Sequence, residues 1–143
     1  MEVGLGFHGV ELIVLVHGLH GRPADFGILV QSLKRRGICE VFEKPADFLE
    51  SVGTHHFNDS TRRRCFVHCS TANTHKTHDG IDKGGLRLAS EILSIVEQKK
   101  LDEPLLDSIS MIGFSLGGIY CRYAIAKLYD PQNHTVAGLK PRQ

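Results

Sequence analysis

The sequence predicts an α/β fold, a mostly parallel sheet with flanking helices, and three observations carry that prediction. Leu12-Ile13-Val14-Leu15-Val16 is a short, unbroken run of β-branched residues and leucine, the composition of a strand buried on both faces. It breaks at Gly18 and is followed by a segment with a single apolar stripe, so strand, glycine turn and helix form a crossover unit. Two further strand-like runs, Cys65–Cys69 and Ile109–Ile112, alternate with strongly periodic helices, the pattern of a parallel sheet with right-handed crossovers.

The first helix opens at Pro23-Ala24-Asp25-Phe26, with proline in the first turn where its missing N–H costs nothing. Phe26, Leu29, Val30 and Leu33 fall at i, i+3, i+4 and i+7, and Lys34, Arg35 and Arg36 complement the helix end before Gly37 stops it. Residues 38–64 read as an irregular insertion or loop. Within it Cys39-Glu40-Val41-Phe42 could form a short strand and Phe48, Leu49 and Val52 one helical turn. A lid is the functional reading of this stretch, and its polarity favours a plain loop. In the next helix Leu86, Ala89, Ile92, Leu93 and Val96 are expected to be buried, with Glu91, Glu97, Lys99 and Lys100 facing water. The last helix, from about Leu116 to Tyr129, is apolar around most of its circumference and is expected to be buried.

The apolar run Ile109–Ile112 leads into Gly113-Phe114-Ser115-Leu116-Gly117, a G-x-S-x-G pentapeptide followed by the last helix. A serine so placed sits on a tight strand-to-helix turn that pushes its hydroxyl out above the sheet, and Gly113 and Gly117 let the neighbouring backbones pass without a Cβ clash. Ser115 is therefore the candidate nucleophile. The pentapeptide alone is a weak signal, and its strand and helix context strengthens it.

Three blocks of the chain together resemble a known family. Val16-His17-Gly18-Leu19-His20-Gly21 with Ala24-Asp25-Phe26, then Asp79-Gly80-Ile81-Asp82 with Gly85, Arg87-Leu88 and Glu91, then Ile112–Gly118 with Arg122-Tyr123-Ala124, are similar in order to the putative serine esterase family of lipase-like α/β-hydrolases. The similarity runs from about Glu11 to Asp130. It implies a partial α/β-hydrolase fold over a single, incomplete domain, 1–143, and hydrolysis of carboxylic esters of lipids with no metal or organic cofactor. Ser115 would form an acyl-enzyme. The oxyanion donors would be the backbone N–H of Leu116 and, by the resemblance, that of Leu19, each typically worth about a hundredfold or more in rate.

The chain departs from the family pattern at the acid and base, which should follow the serine. Asp130 lies at the far end of the same expected helix, about 22 Å away at about 1.5 Å per residue, too far for a triad. His134 would need the tail to fold back. Upstream, His17 is expected to be structural, His55, His56, His75 and His78 lie in polar segments, and His20 is the histidine worth testing as a base. The simplest expectation is a hydrolase portion that stops after the nucleophile helix, leaving a sheet edge uncovered and prone to self-association. At 143 residues the chain can still bury one core, at about 70% of its unfolded surface.

The formal net charge of +1 offers no general attraction to nucleic acid. Arg62-Arg63-Arg64 could assist transient contact with an anionic lipid surface at about 1 kcal/mol per residue. No run approaches a membrane span or a signal peptide, and the four cysteines suit a reduced compartment, so the expectation is a cytoplasmic protein, at most peripheral to membranes. Cys65, Cys69, His75 and His78 include zinc-ligand types, but the spacing on a strand is poor and no metal is expected. Asp79-Gly80-Ile81-Asp82 resembles half of a calcium loop and reads better as a turn into the helix. Two functions remain: a lipase-like serine esterase acting through Ser115, or a non-catalytic module that binds acyl chains or a partner protein.

Overall fold

The structure, a computed structural model, describes residues 9–36, 40–41 and 64–142. Within them a parallel five-stranded sheet is built around β1 (Val10–Val16), which lies between β3 (Cys65–Cys69) and β4 (Leu106–Gly113). β2 (Glu40–Val41) flanks β3, and β7 (Lys140–Pro141) flanks β4. Leu12 faces Phe66 on one side and Ile109 on the other. The expected first and second strands are where the hydrophobic runs placed them, and β2 falls inside the proposed Cys39–Phe42 segment. The third strand is longer than Ile109–Ile112, beginning at Leu106. Residues 38, 39 and 42–63, with the lid reading, the turn at Phe48–Val52, His55, His56, Arg62 and Arg63, lie outside the described residues.

The alternation of β1 divides the core into two layers. Val10, Leu12, Val14 and Val16 pack with α2 (Ile81–Asp102) and α3 (Leu116–Leu128). Ile13 and Leu15 join Cys65, Val67 and Cys69 under α1 (Gly27–Arg35) and the short 3-10 turn Pro23–Phe26 that precedes it. The stripe Phe26, Leu29, Val30, Leu33 closes that second layer as expected.

Two expectations for α2 are corrected. Its buried face is Gly84, Gly85, Leu88, Ala89, Ile92, Ile95 and Val96, while Leu86 and Leu93 stand 48% and 43% exposed. The helix is rotated because it meets α3 through glycine: a Cβ on Gly84 would lie 2.2 Å from the Tyr120 ring, and one on Gly85 2.4 Å from that of Tyr123. Glu91 does not face water. Its carboxylate accepts the Ser70 hydroxyl at 2.5 Å, the Thr71 N–H at 2.9 Å and the Thr71 hydroxyl at 3.0 Å, with His68 Nε2 at 3.4 Å. Burial pushes this carboxyl up, but the His68 ring beside it and the hydrogen bonds from Ser70 and the Thr71 N–H outweigh it and hold it below its ordinary value.

Nor is α3 buried all round. Gly117, Tyr120, Cys121 and Ala124 form one inward face at i, i+3, i+4 and i+7, packed with the sheet and α2, while Ile119 and Arg122 are exposed. It ends at Leu128, and Tyr129–Asp130 (β5) turns back antiparallel to Thr135–Val136 (β6). Asp130 therefore belongs to a hairpin and not to the helix. β7 then pairs with Ser108 and Ile109, so the edge of β4 away from β1 is partly occupied.

Gly84→Ala should lower stability by about 1–3 kcal/mol, because overpacking against the fully buried Tyr120 ring outweighs a helix-propensity gain of about 1 kcal/mol. Urea unfolding with an unchanged slope checks this. Glu91→Gln should cost about 1–3 kcal/mol at neutral pH. A depressed carboxyl contributes stability above its unfolded value and loses it as pH falls through the folded one, so the gap from wild type should shrink only in that acidic window.

Candidate active site

β3, β1 and β4 are parallel neighbours, so the segments leaving their carboxyl ends emerge on the same rim of the sheet, where open α/β sheets form crevices. Those segments are the Ser70–Gly80 loop, the His17–Arg22 loop and the turn at Ser115.

Ser115 holds φ 54° and ψ −124°, a conformation that costs a non-glycine residue about 1–3 kcal/mol and persists only when its surroundings fix it. Here the fixing is by backbone. The Phe114 N–H donates to the Val16 carbonyl at 3.0 Å, the Gly117 N–H to the Phe114 carbonyl at 2.9 Å, and the Gly118 N–H to the Ser115 carbonyl at 3.0 Å. A Cβ on Gly113 would lie 2.4 Å from the Gly118 nitrogen, and one on Gly117 only 2.1 Å from the Val16 oxygen, so neither position admits a side chain. Ser115 is exposed and stands at the N-cap of α3 without a side-chain capping bond; among the described residues its hydroxyl makes no hydrogen bond.

Gly18 brings the loop after β1 against this turn. A Cβ there would lie 2.8 Å from the Phe114 oxygen, 2.9 Å from Ser115 Cβ and 3.4 Å from the Leu116 nitrogen. The loop closes tightly, the Gly21 N–H donating to the Gly18 carbonyl at 3.0 Å while His20 takes φ 56°. Leu19 and Ser115 both line a cavity of about 500 Å³, together with His17, Asp25, Phe26, Leu29, Ile112 and Phe114. That volume is in the range of small-molecule sites. Leu116 supplies the first N–H of α3, one of the groups a helix cannot satisfy internally and an electropositive end. Among the described residues neither this N–H nor that of Leu19 donates to a protein acceptor.

The structure thus gathers Gly113, Ser115, Leu116, Gly117 and Leu19, and leaves both candidate bases apart. The His20 ring lies against that of His78, centroids 4.7 Å apart, and is not among the cavity-lining side chains. His134, in the β5–β6 hairpin beyond the far end of α3, shares a 2.9 Å hydrogen bond with the Tyr129 hydroxyl. His17 does line the cavity, but its Nδ1 lies 3.1 Å from the Gly18 carbonyl, which can only accept, and its Nε2 lies 3.3 Å from the Thr74 hydroxyl. Both ring nitrogens serve the loop.

Among the described residues no group of three or more His, Cys, Asp or Glu side chains is arranged to hold a metal ion. Cys65 and Cys69 are buried in the sheet, whereas His75 and His78 are exposed on the loop. Burial pushes the Cys69 and Cys121 thiols up to about 11, so both stay protonated and behave as small apolar side chains.

Sequence reasoning missed the Ser70–Gly80 loop. Its Thr74 and Thr77 hold the His17–His20 segment, Thr77 by accepting the His20 N–H at 3.2 Å. The available signal was a run of hydroxyl and amide side chains, Thr71, Asn73, Thr74 and Thr77, directly after a parallel strand.

The model of the putative serine esterase family matches residues 8–143. Neither a curated protein nor a solved structure matches the chain.

Gly117→Ala would force its methyl into the Val16 carbonyl, a backbone atom that cannot swing away. The expected result is a loss of about 1–3 kcal/mol in urea unfolding, with backbone NMR shifts displaced at Val16, Phe114 and Ser115. An unchanged midpoint and spectrum would mean that the contact is slack.

Proposed function

The chain belongs to the putative serine esterase family, and from that membership and the site's geometry we propose that it hydrolyses carboxylic esters of lipids through an acyl-enzyme on Ser115. The observation that carries the proposal is the strained, exposed Ser115, its hydroxyl uncommitted, beside a cavity and two unpaired backbone N–H groups.

In this reading Ser115 Oγ attacks the ester carbonyl carbon, and the negative charge that develops on the carbonyl oxygen is met by the Leu116 and Leu19 N–H groups. Collapse expels the alcohol, and water then releases the acid. The α3 N-terminus adds a favourable field at the oxyanion. Phe26, Leu29, Ile112 and Phe114 give the acyl portion an apolar wall. Phe114 is 72% exposed and Leu19 51%, which suits a substrate presented at a lipid surface. Among the described residues no helix is long and apolar enough to cross a membrane, so the contact proposed is peripheral. The reaction calls for no metal or organic cofactor.

The Ser115 proton needs an acceptor. His17 is committed to the loop, and His134 lies beyond the opposite end of α3. His20, on the same turn as Leu19, is the histidine to substitute first, and serving as base would require its ring to leave His78. The engagement of both His17 nitrogens favours a second reading, a non-catalytic module that holds an acyl chain in the same cavity.

A fluorophosphonate probe applied to the folded full chain, with the adduct located by mass spectrometry, separates the two. The proposal expects an adduct on Ser115 that disappears on unfolding, and a fall of about a thousandfold or more in ester hydrolysis for Ser115→Ala. A folded chain that stays unlabelled, yet binds a fatty acid equally well with and without the Ser115 hydroxyl, would establish the second reading.

A further inference from the structure

Between β3 and α2, residues 71–80 form a polar loop stitched by its own turns, the Thr74 N–H donating to the Thr71 carbonyl at 3.1 Å and the Lys76 N–H to that of Asn73 at 2.9 Å. One side chain from α2 ties these turns together. Arg87 donates through Nε to Asn73 Oδ1 at 2.9 Å, through Nη1 to Asp79 Oδ2 at 2.7 Å and through Nη2 to the Lys76 carbonyl at 2.9 Å. Asn73 is buried, and its amide nitrogen donates in turn to the Gly84 carbonyl at 2.9 Å. The planar guanidinium thus meets three acceptors spread along the loop, which a lysine ammonium on a flexible stem cannot reproduce. The Arg87 hydrogen bond and charge hold the Asp79 carboxyl below its ordinary value, so Asp79 remains an anion in this network.

The same loop is what the turn after β1 leans on. His17 Nε2 meets the Thr74 hydroxyl, and the His20 N–H donates to that of Thr77. Among the described residues these two groups have no other protein partner. Thr77 also accepts, through its carbonyl, the hydroxyl of Tyr120 from α3, the helix that starts beside Ser115. A displacement of the loop would therefore reach both sides of the site, the Leu19 N–H through the His17–His20 turn and Ser115 through α3.

We propose that Arg87 is a positioning residue for the Ser115 site: it clamps the loop between Asn73 and Asp79, so that Thr74 and Thr77 hold the His17–His20 turn and aim the Leu19 N–H. The proposal rests on the esterase reading for its catalytic consequence, but its structural content, Arg87 acting on His20 through Thr77, stands without it.

The test uses the full chain with Arg87→Lys, Thr77→Val and the pair combined, measuring kcat and KM for a short-chain p-nitrophenyl ester and hydrogen exchange of the Leu19–Gly21 amides. Arg87→Lys should lower kcat about ten- to a hundredfold, the effect of a misplacement near 1 Å, with little change in KM for so small an ester. Exchange at His20 should quicken in both single variants, and at that amide the pair should exchange no faster than Thr77→Val alone, since Arg87 acts on the His20 N–H through the Thr77 hydroxyl. Wild-type kcat and His20 exchange in a folded Arg87→Lys, or His20 exchange effects that simply add in the pair, would overturn the proposal. If Arg87→Lys fails to fold by circular dichroism, Asp79→Asn removes the charged acceptor and should shift kcat and exchange the same way by a smaller factor; no shift overturns the proposal. A wild-type chain inert to both ester and fluorophosphonate would defeat the esterase reading, while His20 exchange would still decide the role of Arg87.

Discussion

At the carboxyl ends of β1 and β4 two lengths of backbone pass closer than a side chain would permit. The Val16 carbonyl receives the Phe114 N–H and lies where a Cβ on Gly117 would be, while Gly18 sits against Phe114, Ser115 and the Leu116 nitrogen. This contact settles much of what surrounds it. It forces the abrupt change from strand to helix, holds Ser115 in a backbone conformation it would not choose alone, and sets the β1 loop beside the first N–H of α3. Gly18, Gly113 and Gly117, contributing no side-chain burial, define the geometry on which the proposed chemistry depends.

The sheet supplies the rigidity that keeps such a contact. β1 is buried on both faces and hydrogen-bonded on both edges, its alternate side chains committed to α2 and α3 on one side and to α1 on the other. Around the rim the organisation is polar. Glu91 fastens α2 to the end of β3 through Ser70 and Thr71, and Arg87, one helical turn earlier, fastens it to the loop that follows. One helix thus contributes an apolar face to the core and a charged edge to the site.

Much of this was legible in the residues. The unbroken run Leu12–Val16 identified the central strand, because a strand covered on both faces needs no polar alternation. The stripe from Phe26 to Leu33 located the first helix, and the glycine spacing around Ser115 marked the strand-to-helix turn, for a steric reason the structure makes explicit. The orientation of α2 was hidden because hydrophobic periodicity weighs side chains, and its closest packing is through Gly84 and Gly85, which have none. Glu91 reads as a solvent residue because charge and exposure usually coincide, and nothing local shows that Ser70 and Thr71 will fold over it. The loop carrying Asn73, Thr74 and Thr77 has no period at all; its order comes from Arg87, more than a full helical turn away along the chain.

The central position of β1 also governs the order in which the molecule can be assembled. Leu12 has no strand partner nearby in sequence: one neighbour is Phe66 and the other Ile109, so the sheet is made of long-range pairings that must close large loops before they gain anything. The longer-range of these, β1 with β4, is also the one that delivers the Val16 carbonyl to Phe114 and Gly117. Until it forms, the most apolar strand of the chain has one edge open, and the Ser115 turn has nothing to strain against. The pairing that sets the Ser115 turn is thus also the one that covers this edge, so a chain that has not made it both lacks a formed site and keeps a strand edge open to association.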